Sequence, residues 1–143
     1  MSRDLPIPPP PEGFVRSENR GEFSAHNGPY FHRISADGLI EQAVFLQPRH
    51  TNAVGVLHGG MLAAFLDGLL GGAVSRGAGR TGVTIQLSVE FLRMARAGDW
   101  LQGEARLNHA TRDVAFAEGR AFVGSVEVGR ASGVFKLMGR ARR

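Results

Sequence analysis

The stretch from Asn52 to Ala73, NAVGVLHGGMLAAFLDGLLGGA, constrains this chain most, because it sets one acid, Asp67, inside an otherwise uncharged and mostly apolar run. The run opens on His58-Gly59-Gly60. A carboxylate in apolar surroundings is costly unless paired, and perturbed carboxylates concentrate at active sites. From Gly59 to about Ser75 apolar residues fall on every side, which predicts a helix buried all round. Gly59, Gly60, Gly68, Gly71 and Gly72 each weaken an isolated helix by up to about 1 kcal/mol relative to alanine, so tertiary packing must hold it. Glycine also admits close backbone approach, which predicts a helix lying tight against a sheet.

That sheet is legible on both sides of the helix. Tyr30–Ser35 and Leu39–Leu46 flank the turn residues Ala36-Asp37-Gly38, which predicts a hairpin closed by Pro48. After a glycine-rich loop at Arg76–Thr81, Val83, Ile85, Leu87, Val89 and Phe91 alternate with Thr84, Gln86, Ser88 and Glu90, the clearest strand in the sequence. Three more runs follow, ending with Val126–Leu137, and Ala115, Ala117, Gly119 and Ala121 give one of them a face of small residues suited to the helix. The expected class is α+β, a curved antiparallel sheet around one long central helix. Phe14–Asn27 has no sustained period and reads as a short helix or an ordered loop.

With 143 residues, a hydrophobic fraction of 43% and a charged fraction of 21%, the chain is expected to hold one globular domain, residues 14–143. A proline-rich arm, residues 1–13, precedes it: Pro6 and Pro8–Pro11 favour an extended conformation, open to ordering against a neighbouring subunit. The absence of cysteine excludes a disulfide framework and a thiolate nucleophile. No apolar run reaches the roughly 20 residues of a membrane helix, and the first residues lack the apolar core of a secretory signal, so the expected location is the cytoplasm. The formal net charge of +4 favours an anionic partner, yet the arginines are scattered and not gathered into a basic helix, which argues against nucleic acid. The run Arg140, Arg142 and Arg143 reads as a solvated end. His26, His32, His50, His58 and His109 show no metal-binding spacing.

The chemistry is expected at the helix. Its N-terminus presents unpaired N–H groups and the positive end of the helix dipole, and bare glycine backbone after His58 would let a carbonyl approach within hydrogen-bonding distance, as in an oxyanion hole. A Gly-Gly pair alone would equally serve a tight turn. Asp67 lies nine residues after His58, so it sits about 13.5 Å along the axis and on the opposite side. One chain cannot aim both at one carbonyl; a symmetric dimer with two equivalent sites can. Asp67 could otherwise be a structural carboxylate bonded to Thr84 or Ser88. Phe65, Leu66, Leu69 and Phe91 could line an acyl pocket or serve as core.

Asn52-x-x-Gly55-x-x-His58-Gly59-Gly60, then Asp67, then the Thr84-bearing strand ending in Glu90-Phe91-Leu92-Arg93, resembles the hotdog-fold acyl-CoA thioesterases of the PaaI-like group. Gly98-Asp99-Trp100-Leu101 and Arg130-Ala131-Ser132-Gly133-Val134-Phe135 fit it too, so the resemblance runs from about Gly28 to Met138. It implies a hotdog fold and hydrolysis of a thioester to a carboxylic acid and free coenzyme A, with no separate cofactor and no metal. Asp67 would attack the carbonyl or activate water, and the Gly59 N–H would polarise that carbonyl. Asn52 would position water or thioester, His58 would order the loop around the leaving sulfur, and Thr84 would orient water near the acid. Gly60 would line the substrate site, and Arg93, Arg96 and Arg112 are candidates for the phosphates of coenzyme A. The resemblance also implies a homo-oligomer, a dimer as the minimal active unit, pairing into a tetramer through exposed sheet faces. Two other readings stay open: a hotdog hydratase or dehydratase, disfavoured by the spacing, and a non-catalytic acyl-CoA sensor, disfavoured by an intact Asp67.

Overall fold

The computed structural model describes residues 3–139, so the C-terminal arginines Arg140, Arg142 and Arg143 lie outside the described residues. In chain order the elements are β1 (Val15–Arg16), α1 (Glu22–Asn27), β2 (Tyr30–Ile34), β3 (Ile40–Phe45), a 3-10 turn (Pro48–His50), α2 (Gly59–Ala78), β4 (Gly82–Phe91), β5 (Trp100–Ala110), β6 (Val114–Val123) and β7 (Val126–Leu137). All strands join one antiparallel sheet in the order β1-β2-β3-β5-β6-β7-β4. The sheet curves around α2 without closing, which is the α+β architecture that the resemblance implies. The ambiguous stretch before β2 resolves into β1 and the short α1.

Packing of helix on sheet follows from which residues are small. Phe65, Leu66, Leu69, Leu70 and Val74 on α2 are at most 1% exposed and meet Ala115, Ala117 and Ala121 of β6. The glycines that permit this approach lie mostly on the sheet, joined by Gly77 of α2, where a side chain would stand 2.8 Å from Leu107 Cβ. A side chain at Gly119 would stand 2.8 Å from the Glu104 carbonyl oxygen and 3.0 Å from Leu70 Cδ1, and one at Gly103 would stand 2.7 Å from Leu69 Cδ2.

Two expectations about α2 are corrected. It runs three residues beyond Ser75, to Ala78, and stops where Gly79 takes φ 69°, the left-handed conformation that ends helices. It is also not buried all round: Ala63, Ala64, Asp67, Gly68, Gly71 and Gly72 form a half-exposed face that the open sheet leaves uncovered. Hydrophobic character on every side marks a surface that is apolar, not a surface that this one chain covers.

The alternation in β4 is corrected as well. A β-bulge between Thr84 and Gln86 inserts one extra residue opposite β7. Thr84 pairs with Phe135 and Leu87 with Gly133, positions of one parity on β7, so Thr84 shares the helix-facing side with Leu87 and Val89. Val83 and Ile85 are instead more than half exposed. Beyond β4 no strand follows among the described residues, so a ten-residue strand ends the sheet with its outer edge unpaired.

The proline arm lies on its own chain. Gln47, 1% exposed, receives the Leu5 N–H at 2.6 Å and donates to the Leu5 carbonyl at 3.0 Å, while Arg49 pairs with Asp4 at 3.1 Å. Phe14 then enters a second small core with Phe31 and Ala43, under the Arg33 guanidinium.

Candidate active site

The loop before α2 is tied together by its own polar groups. Asn52 Oδ1 accepts from Val54 N–H at 3.0 Å and Val56 N–H at 3.2 Å, which leaves only its side-chain NH2 free to donate outward. Gly55, at φ 87°, makes the return turn that a residue with a Cβ would resist. The loop is anchored at both ends, by Leu57 N–H to the Ala95 carbonyl at 2.8 Å and His58 N–H to the His50 carbonyl at 2.9 Å.

His58 caps α2. Its Nδ1 accepts from Gly60 N–H at 2.7 Å, and its carbonyl accepts from Met61 N–H at 2.9 Å and Leu62 N–H at 3.1 Å. With the His58 N–H held by the His50 carbonyl and Leu62 making the first regular helical bond, three of the four orphan amides of the helix start (His58, Gly60 and Met61) are satisfied. The fourth, Gly59 N–H, has no acceptor among the described residues. Gly60 is thus committed to the cap, and Gly59 alone offers a donor.

Gly59 opens onto a cleft of about 700 Å³ lined by Leu57, Leu62, Phe91, Leu92, Met94 and Val128, with Arg93 and Arg96 among its walls. The Phe91 ring stands 3.4 Å from where a side chain at Gly59 would begin, so glycine there keeps the cleft open beside the free amide. Phe91 is 59% exposed, whereas Phe65, Leu66 and Leu69 are core. Arg93 donates to the Glu127 carbonyl at 3.1 Å, and the Arg96 backbone is fixed by Asp99 at 2.9 Å. Arg112 lies apart: its carbonyl accepts from Arg80, beyond the C-terminal end of α2, about 30 Å of helix away from Gly59.

Asp67 sits on the half-exposed face of α2, and Thr84 Oγ1 donates to its Oδ1 at 2.5 Å. The bulge produces this bond by turning Thr84 toward the helix, while Ser88, opposite Ser132 on the outer side, does not share it. Asp67 and Gly59 remain eight residues apart on the helix, about 12 Å. The chain therefore carries an acid with a hydroxyl partner and an unpaired amide beside an arginine-edged apolar cleft, on separate parts of one helix.

Sequence reasoning passed over His50. It is 2% exposed, its Nδ1 accepts from Gln47 N–H at 2.9 Å, and its Nε2 donates to the Asn27 carbonyl at 2.8 Å. Burial holds its pKa below the ordinary 6.5, and neighbouring Arg49 adds to the shift. Neutral His50 thus links α1 to the loop that presents Gly59. The only signal was a histidine two residues after a proline.

The sequence profile of the thioesterase superfamily matches residues 54–130. A Pseudomonas aeruginosa protein named as an esterase is 36% identical over 129 residues, 89% of this chain and 96% of its own. A solved structure from Ralstonia eutropha, described as a thioesterase related to phenylacetic acid degradation, is 28% identical with a TM-score of 0.71, covering 84% of this chain and 93% of that one. A Bacillus halodurans protein solved with CoA, 24% identical over 78% of this chain and 74% of that one, shares the fold with a TM-score of 0.68.

Proposed function

Since the chain belongs to the hotdog-fold thioesterase superfamily, we propose that it is an acyl-CoA thioesterase in which Asp67 attacks the thioester carbonyl or activates water for that attack. The observation that carries this reading is the Thr84–Asp67 hydrogen bond, built by a bulge and presented on the open face of α2. Bulges re-aim side chains next to active sites, and here the bulge converts an outward threonine into a partner of the one helix acid.

The geometry needs a second copy. Asp67 of one chain acts on a carbonyl polarised by the Gly59 N–H of the other, because a single helix holds them about 12 Å apart. The unpaired edge of β4 beside the uncovered face of α2 supports a two-fold pairing of sheets through β4: long, unprotected edge strands recruit partners. A tetramer would then form through the outer sheet face, where Glu104, Arg120, Arg130 and Glu90 make a charged row. His58 orders the donor by capping the helix, and Asn52 offers its NH2 to water or thioester.

Coenzyme A suits the cleft beside Gly59. Its pantetheine arm would lie along the apolar walls, with Arg93 and Arg96, which line the same cleft, meeting its phosphates; Arg112, remote within one chain, would take part only across an interface. That a related fold from Bacillus halodurans was solved with CoA supports this assignment. The test is thiol release from short, medium, long-chain and aryl acyl-CoAs by the native protein and by Asp67→Asn. Turnover by the native protein, lost in a folded variant, is the expected result; native inactivity across the panel with acyl-CoA still bound would replace hydrolysis by sensing.

A further inference from the structure

Arg20 is a half-buried cation that the proposed reaction does not use. It sits between β1 and α1, just after Asn19, whose φ of 57° is a left-handed conformation that asparagine tolerates better than most residues. Its Nη1 donates to Gln42 Oε1 at 2.8 Å, and the guanidinium lies 4.5 Å above the Tyr30 ring. Gln42 is 3% exposed and its other amide atom, Nε2, donates to the Phe65 carbonyl of α2 at 3.0 Å, so the acceptor that holds Arg20 is itself fixed. Burial pushes the guanidinium down from its ordinary value. Arg20 forms no ion pair among the described residues, and its Nε and Nη2 have no acceptor there.

The uncommitted edge of this cation points at the site. Arg20 Nη2 lies 2.6 Å from where a side chain at Gly68 would begin, so any larger residue there would push the guanidinium out of its present position. Gly68 follows Asp67 directly; their Cα atoms are about 3.8 Å apart and their outward directions diverge by roughly 100°. Ala64, Gly68 and Gly72 keep this strip of the helix low. The guanidinium therefore lies against the helix one residue on from the proposed acid.

We propose that Arg20 determines specificity by binding an oxyanion at the far end of the acyl group, so that the preferred substrate is a short acyl-CoA ending in a carboxylate. This rests on the thioesterase reading. An apolar tail would cover the guanidinium without giving its free N–H groups an acceptor, whereas a carboxylate supplies two acceptors in the plane of that edge. It also supplies the counter-charge that a desolvated cation lacks, and Arg20 in turn offsets repulsion between Asp67 and a second carboxylate.

Calorimetric titration of glutaryl-CoA and of hexanoyl-CoA, near-isosteric apart from the terminal charge, tests this. It is done in an Asp67→Asn background so that the thioester stays intact. Glutaryl-CoA is expected to bind roughly 10- to 100-fold more tightly, Arg20→Met to abolish that ratio, and Arg20→Lys to keep part of it. Gly68→Ala, which favours the helix but displaces the guanidinium, is expected to lower the ratio independently. Equal binding of the two ligands, no binding of either, or an equal loss for both in Arg20→Met, as a structural strap would give, overturns the proposal. Thiol release by the native protein is read separately: selective glutaryl-CoA binding without any turnover would refute the thioesterase reading and leave the role of Arg20 standing.

Discussion

Replacing Thr84 by valine isolates the bond on which the proposed site turns. Valine keeps the shape and β-branching of threonine, so strand β4 and its bulge should persist. What disappears is the Oγ1 donor 2.5 Å from Asp67 Oδ1. A hydrogen bond to a charged acceptor contributes about 1.5–3 kcal/mol net. If that bond fixes the acid in the orientation from which it attacks or deprotonates water, its loss raises the barrier by up to the same amount, and kcat falls about 10- to 150-fold. KM should stay within about twofold, because the hydroxyl touches the acid and not the cleft beside Gly59. Urea unfolding should move by no more than about 1 kcal/mol, since Asp67 is half-exposed and water can replace the lost donor. Thr84→Ser restores a hydroxyl and should recover most of kcat. The assay is thiol release at saturating acyl-CoA, with circular dichroism to verify folding. Full kcat in Thr84→Val would refute the argument, and so would equal losses in the valine and serine variants.

Two further outcomes follow from the packing and from the buried histidine. Gly119→Ala should destabilise the protein by about 1–3 kcal/mol in urea unfolding, because its new methyl would meet a backbone carbonyl at 2.8 Å and Leu70 at 3.0 Å, neither of which can retreat freely. His50 has a folded-state pKa below 6.5, so the unfolded chain binds its proton first. The stability from neutral His50 is therefore complete above about 6.5 and is lost as pH falls through the folded value; the thermal midpoint should drop on acidification from pH 7.5, with a shallower slope in His50→Gln.

Much of this architecture could be read from residue order because it depends on local period and turn chemistry. Tyr30–Ile34 and Ile40–Phe45 pair around Gly38 at φ 82°, and four strands follow α2 where alternation ran without interruption. The small face of β6 was equally visible, since Ala115, Ala117, Gly119 and Ala121 recur at period two. What escaped were features set by contacts distant in sequence. The bulge in β4 leaves no mark in the alternation of Val83 to Phe91, because one extra residue shifts faces without changing residue types. His50, Gln42 and Gln47 are polar residues whose burial depends on partners more than 20 positions away, such as Asn27, Phe65 and Leu5. Gly59 and Asp67 stood out as chemical anomalies, whereas Asn52 entered only through the family resemblance, and the inward use of its Oδ1, which leaves the NH2 to face outward, was hidden until its loop closed on it.

The glycines make the division between structure and site explicit. A helix rich in glycine suggested close approach to a sheet, and Gly77 does admit Leu107 of β5, but most of the glycines that admit the helix are on the sheet: Gly103, Gly119, Gly129 and Gly133, each with a side chain of α2 or of the core where its own Cβ would be. Gly68 is covered by the Arg20 guanidinium, while Gly71 and Gly72 lie on the half-exposed face that carries Asp67. At Gly71 and Gly72 the nearest atoms to an added Cβ are 4.0 and 3.6 Å away, so sheet packing does not require glycine there. Each sacrifices up to about 1 kcal/mol of helix propensity. A face kept bare at that expense, beside a positioned acid and an unpaired sheet edge, is organised for something that must lie against the helix, and in the proposed dimer that is the thioester and the second copy of the chain.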